Sequence, residues 1–206
     1  MFVEEMKEGW NIMLHPGKAT KKTLSVSEGL KYYYRLAIIP LVISIVIGAI
    51  AAAALPGLAG SASTNPLMSS YGLGAIGGVG IIAAAIVGLL IANPIGMLIS
   101  AALLQLFGKH LFKAYKNDYE HTFTAYAKGG IVPSTMFYWL SSLPVIGIAF
   151  AVIFGIWSFI VAIIALANQQ GISRWKSLGV IIGTGVIVYI IIFLVALGVV
   201  GLFIHP

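Results

Sequence analysis

AIGGVGIIAAAIVGLLIANPIGMLISAALLQLF, residues 75–107, is the stretch on whose reading the architecture turns. It carries no charge, and as one helix at 1.5 Å per residue it would run about 50 Å. One upright crossing of about 30 Å of hydrocarbon needs only about 20 residues. The stretch is therefore either a single long helix broken at Asn93 and Pro94, where proline withholds a backbone donor, or two short crossings. The flanking charges separate these readings, because basic residues are retained on the cytoplasmic side and one extra crossing flips every later loop. With one crossing, Lys7, Lys18, Lys21, Lys22, Lys31, Arg35, Lys109, Lys113, Lys116, Lys128, Arg174 and Lys176 share the cytoplasmic side, which is every Lys and Arg of the chain. With two, half of them move outside. One kinked crossing is the consistent choice.

Working outward, four more segments have the length and apolarity to cross: about 36–55, 128–143, 146–167 and 177–203. The expected fold is all-α, a polytopic bundle of five transmembrane helices with the N-terminus cytoplasmic and the C-terminus outside. Residues 1–25 form a cytoplasmic amphipathic segment and 26–206 the transmembrane domain. Composition agrees: of 206 residues, 60% are hydrophobic and 9% charged, and the mean hydropathy is +1.02, which excludes a water-soluble fold. A net charge of +6 suits an anionic leaflet rather than nucleic acid in a chain of this kind. Cysteine is absent, which removes disulfides and thiolate chemistry.

At the N-terminus, Glu4, Glu5 and Glu8 stand where a cleavable signal would be basic, so the first crossing is expected to serve as the targeting signal. Phe2, Val3, Met6, Trp10, Met13 and Leu14 recur at helical spacing, predicting a short helix that lies on the inner leaflet or docks on the bundle and stops at His15 and Pro16. Ser25 and Glu28 have the spacing of a capping box, which places a helix start near Val26. Lys31, Arg35, Tyr32, Tyr33 and Tyr34 then read as an anchor at headgroup level.

No Asp, Glu, Lys, Arg or His falls in the middle of any expected crossing, which argues against a proton pump or an intramembrane acid–base enzyme. The uncharged polar residues are Asn93, Gln105 and the run Asn168, Gln169 and Gln170. Asn93 is expected to satisfy carbonyls freed by Pro94, and this break is the candidate cavity. Gly72, Gly74 and Gly77 match a dinucleotide fingerprint in spacing only, since no βαβ unit can form here. Gly74 with Gly78, and Gly179 with Gly183, are candidate helix-packing pairs, within one chain or between two copies. His110, Asp118, Glu120 and His121 are too irregular for a metal site, and Asp118 reads as a helix start. No catalytic residue, cofactor or metal is expected.

The pattern of Trp10 to Pro16 before a basic linker, Pro40 in the first crossing and Gly108-Lys109 closing the second resembles the Yip domain family. So do Thr122 to Tyr126 with Pro133, a Pro144 to Gly147 turn, and Gly171 to Lys176 before the last crossing. The resemblance implies five-helix membrane proteins without catalytic residues, whose eukaryotic members act in vesicle traffic and bind Rab GTPases. This chain lacks a long Pro-rich extension, so a prokaryotic cytoplasmic membrane is the expected home, with endoplasmic reticulum or Golgi as the alternative.

The expected role is a non-enzymatic membrane organiser or adaptor for a cytosolic partner, with Lys113, Lys116, Tyr126, Pro133, Arg174 and Lys176 as candidate partner-facing residues. The alternatives are a channel or transporter for a small neutral solute along Asn93 and Pro94, and a structural subunit of a larger membrane complex.

Overall fold

The computed structural model describes residues 2–54, 86–131, 135 and 146–204. Gly74, Gly78, Pro133, the 72–77 glycine motif, the 144–145 turn and the two C-terminal residues lie outside them.

Helix α1 spans Phe2–Leu14. Its alternation of apolar and charged residues leaves one apolar face, and Ile12, fully buried, packs that face on Tyr32 and Leu36 and on Val161 further along the chain. Burying one isoleucine is worth about 1.5–3 kcal/mol. The helix is thus docked on protein along Ile12, while Trp10 and Leu14 remain exposed. His15 breaks it in a non-helical conformation, and Pro16 opens α2, Pro16–Ala19, at the position where a missing N–H costs nothing.

Helix α3, Val26–Ala54, starts with the expected capping box. The Glu28 N–H donates to Ser25 Oγ at 3.3 Å and the Ser25 N–H to Glu28 Oε2 at 3.0 Å, satisfying two backbone donors that a helix start leaves open. Helix α4, Gly88–Leu111, covers the described half of the stretch that opened the sequence reading. It widens into π turns at Gly88–Ala92, just before Pro94, and at Phe107–Leu111. Helix α5, Tyr119–Ala125, begins at Asp118 and runs on through a third π turn, Tyr126–Ile131.

Helix α6, Ile146–Gln170, and helix α7, Arg174–Ile204, are long apolar shafts. Gly171, at φ +63°, takes the left-handed conformation that ends α6. The Ile172 N–H then returns to the Ala167 carbonyl at 3.0 Å, which closes a Schellman motif. Ser173 caps α7, its Oγ accepting from the Lys176 N–H at 3.3 Å.

All described elements are helical. Three helices among the described residues, Gly88–Leu111, Ala149–Gln170 and Arg174–Leu197, are long and apolar enough to cross a membrane, against the five expected. The difference falls where the description stops: most of 128–143 lies outside it, as do the side chains of much of α3 beyond Ile38. Apolar exposure along the shafts is extensive, with Ile153, Ile156, Ile190, Phe193 and Val195 all about half exposed or more. Such faces call for hydrocarbon.

The core is built around α5. Phe123, fully buried, packs with Tyr33 and Ala37 of α3 and Met97 and Ala101 of α4. Gly129 brings the following turn so close to α6 that a Cβ there would stand 2.6 Å from the Ala165 methyl and 2.9 Å from Ala162 Cα. That contact is a close small-residue helix crossing among the described residues.

Two expectations fail in instructive ways. The tyrosine trio is no surface anchor: Tyr32 and Tyr33 are 6% and 2% exposed, and only Tyr34 reaches the surface. The carbonyls freed by Pro94 are met by those tyrosines and not by Asn93, since Tyr33 donates to the Leu89 carbonyl at 2.6 Å and Tyr34 to the Leu90 carbonyl at 3.1 Å. Proline removes the donor for one helical turn and the adjacent helix supplies hydroxyls in its place.

Candidate functional site

The densest polar assembly lies where residues 16–24, 117–124 and 168–170 meet. Thr20, Thr122 and Thr124 are fully buried, and Gln169 and Gln170 are 3% and 1% exposed. Buried amides and hydroxyls persist only when paired, and here each is.

Gln170 Nε2 donates to Thr122 Oγ1 at 2.8 Å, and its Oε1 accepts from the Asn117 N–H at 3.1 Å. The Thr122 hydroxyl donates to Gln105 Oε1 at 2.5 Å, while Gln105 Nε2 donates to the Asn117 carbonyl at 2.9 Å. Asn117 Nδ2 in turn donates to the Gln169 carbonyl at 2.6 Å. On the other side, Gln169 Nε2 donates to the Thr20 carbonyl and Gln169 Oε1 accepts from Thr23 Oγ1 at 2.9 Å. Asn168 Nδ2 reaches Thr20 Oγ1 and the Gly17 carbonyl, both at 3.1 Å.

Thr124 completes the plate in a reciprocal pair with Leu24, accepting from its N–H at 2.9 Å and donating to its carbonyl at 3.0 Å. A hundred residues separate these partners in sequence.

Beside the plate, Lys128 is 1% exposed and its Nζ lies 2.7 Å from Glu8 Oε1, tying α1 to the turn after α5. From sequence, Lys128 stands on the cytoplasmic side with the other basic residues, at the start of the expected 128–143 crossing. Its burial is set by Gly129 pulling that turn onto α6, and by Glu8 arriving from a helix 120 residues earlier to neutralise it.

Lys113, Lys116, Arg174 and Lys176 are exposed. Lys113 holds φ +48°, a left-handed conformation unusual for a side-chain-bearing residue, where α4 turns away and the Ala114 N–H returns to the Gly108 carbonyl at 2.8 Å. Trp175 stands 82% exposed between Arg174 and Lys176.

Tyr126 is apart from this group. It is half-buried and lines a cleft of about 260 Å³ with Leu104, Ser158, Ala162, Leu166 and Ile181. Asn93 is exposed and lines neither this cleft nor the groove between α1 and α6, while Pro94 is buried. Gly183 receives the Phe112 ring, and Gly179 faces open space.

The electrostatics are quiet. Hydrogen bonds from the Ser25 backbone N–H and then its hydroxyl hold the Glu28 carboxyl below its ordinary range. Burial pushes the Tyr115 and Tyr119 phenols up, so both stay neutral. The plate itself is made of amides, hydroxyls and backbone, a composition suited to holding shape rather than moving protons. No group of three His, Cys, Asp or Glu that could hold a metal occurs among the described residues.

Sequence reading noted Gln105 and residues 168–170 as polar but missed their partners. Thr20, Thr23, Asn117 and Thr122 carry no signal of their own, although four polar uncharged residues at the ends of apolar segments are a pattern that a search for buried networks would return.

Compared with known proteins, residues 10–197 match the profile of the Yip1 domain. No curated protein and no solved structure matches the chain.

Proposed function

Because the chain belongs to the Yip1 domain family, we propose that it is a non-enzymatic membrane organiser that presents its basic end to a cytosolic protein partner. The observation that carries this reading is the neutral plate, in which Gln169, Gln170 and Thr122 weld three distant segments into one platform. A rigid platform ringed by exposed cations is what recruitment requires, since preorganisation lowers the entropic cost of binding and charge speeds encounter. Lys113, Lys116, Arg174 and Lys176 provide the ring, and Trp175 an aromatic anchor of the kind that dominates interface energetics.

The accompanying topology is five crossings with the plate in the cytoplasm, in the cytoplasmic membrane of a prokaryote. The arrangement keeps all basic residues on the side that the positive-inside rule demands. A reporter fused after Pro206 is expected to be extracytoplasmic; an intracellular reporter overturns the topology.

Recruitment is tested by proximity labelling from the 112–118 loop in cells, comparing the native chain with Lys113→Glu and Lys116→Glu together. A cytosolic protein labelled by the first and lost at least severalfold with the second supports the reading. An unchanged set of labelled proteins sinks it.

A subunit reading draws support from Gly179, whose Cβ position is open, beside exposed Ile182 and Val186 on α7. Such a face allows close approach of another helix. Gly179→Leu is expected to dissociate any detergent-stable oligomer that uses it.

A further inference from the structure

The cleft lined by Leu104, Tyr126, Ser158, Ala162, Leu166 and Ile181 lies inside the bundle, and its walls carry no charge. Ser158 is twelve residues from either end of α6, hence about 18 Å from each, at the depth of the hydrocarbon core. The side chain is 7% exposed, and its hydroxyl has no partner, not even the carbonyl one turn back that helical serines commonly use. Thr184, 6% exposed and one turn beyond Ile181 on α7, is likewise without a partner.

An unmade hydrogen bond in a water-free setting is a standing cost that a ligand can relieve. Water is a poor occupant, because a buried water holds on through two to four polar partners and these walls supply little beyond the one hydroxyl. A charged ligand finds nothing to neutralise it. The volume, about 260 Å³, falls just below the roughly 300–1,000 Å³ of drug-sized sites, enough for one short chain and not for a two-chain lipid. Phe159, 41% exposed, stands at the lip, so access is from the lipid side.

We propose that this cleft binds a neutral, membrane-dissolved amphiphile consisting of a single hydrocarbon chain with one hydroxyl or carbonyl group, which accepts a hydrogen bond from Ser158. The inference stands apart from the recruitment reading, which concerns the polar C-terminal end of the same helix.

The probe is a diazirine-bearing octanol, photolysed with the full-length protein in phosphatidylcholine nanodiscs. Saturable adducts on peptides containing Tyr126, Phe159 or Ile181 are expected, with octanol competing about fivefold better than octane at equal membrane concentration, the worth of one net hydrogen bond. Ser158→Ala removes that discrimination while leaving competition by octane unchanged, and Ile181→Phe fills the cleft and abolishes labelling. Should Ile181→Phe fail to fold, Ser158→Ala still decides, because it deletes an atom that bonds to nothing in the protein. Adducts that do not saturate and spread over the lipid-facing residues 190–197, or an octanol preference that survives Ser158→Ala, overturn the proposal.

Discussion

The C-terminal end and the middle of α6 handle buried polarity in opposite ways. Near its C-terminus, Gln169 and Gln170 are almost fully enclosed and every amide group finds a partner; at its middle, Ser158 is nearly as enclosed and bonds to nothing. Equal burial with unequal satisfaction separates a region built to hold its own shape from one left to be completed by something else. The contrast matters more at bilayer depth, where no water can make good the deficit.

Five experiments press on that contrast, in falling order of effect. Glu8→Ala strands the Lys128 ammonium inside the protein and should cost about 3 kcal/mol in thermal unfolding in detergent, as removal of one partner of a buried pair does. Lys128→Met should cost visibly less, because the orphaned Glu8 is 39% exposed and returns to solvent. Equal losses would refute the asymmetry. Gln170→Leu leaves the Asn117 N–H without its acceptor and should cost about 2 kcal/mol by the same measurement.

Tyr33→Phe takes the hydroxyl from the Leu89 carbonyl and should cost about 1 kcal/mol, more than Tyr34→Phe at the surface. If the two are equal, the π turn does not depend on its buried cap. Glu28 supplies a pH test: its folded pKa lies below the ordinary value, so its stabilising contribution is complete above about pH 4.5 and is lost as pH falls through the folded value. Glu28→Gln should flatten the unfolding temperature across that acid window. Last, Ser158→Ala should leave stability unchanged or raise it by up to about 1 kcal/mol, since no bond is broken and an unsatisfied buried hydroxyl is removed; a loss resembling that of Gln170→Leu would mean that the hydroxyl is engaged after all.

Much of the local structure was readable from residues alone. The Ser25–Glu28 box, the His15–Pro16 stop and the Pro94 break are each governed by chemistry acting within four residues, and each lies where spacing put it. The candidate site was legible only as ingredients. Gln105 and residues 168–170 stood out as polar, yet Thr122, 17 residues from Gln105 and 48 from Gln170, joins them only because α5 packs between α4 and α6. Lys128 misled for the same reason, being one more cation in a basic region until Glu8 closes over it.

Hydrophobic run length and proline placement determined that this protein is a helical membrane protein, because those signals act on each segment independently of its neighbours. Tertiary structure alone decided which polar groups are paired, since a hydrogen bond between residues a hundred positions apart depends on how helices cross and not on what adjoins them in the chain. The Tyr33 hydroxyl on the Leu89 carbonyl and the empty-handed Ser158 are both decisions of that second kind.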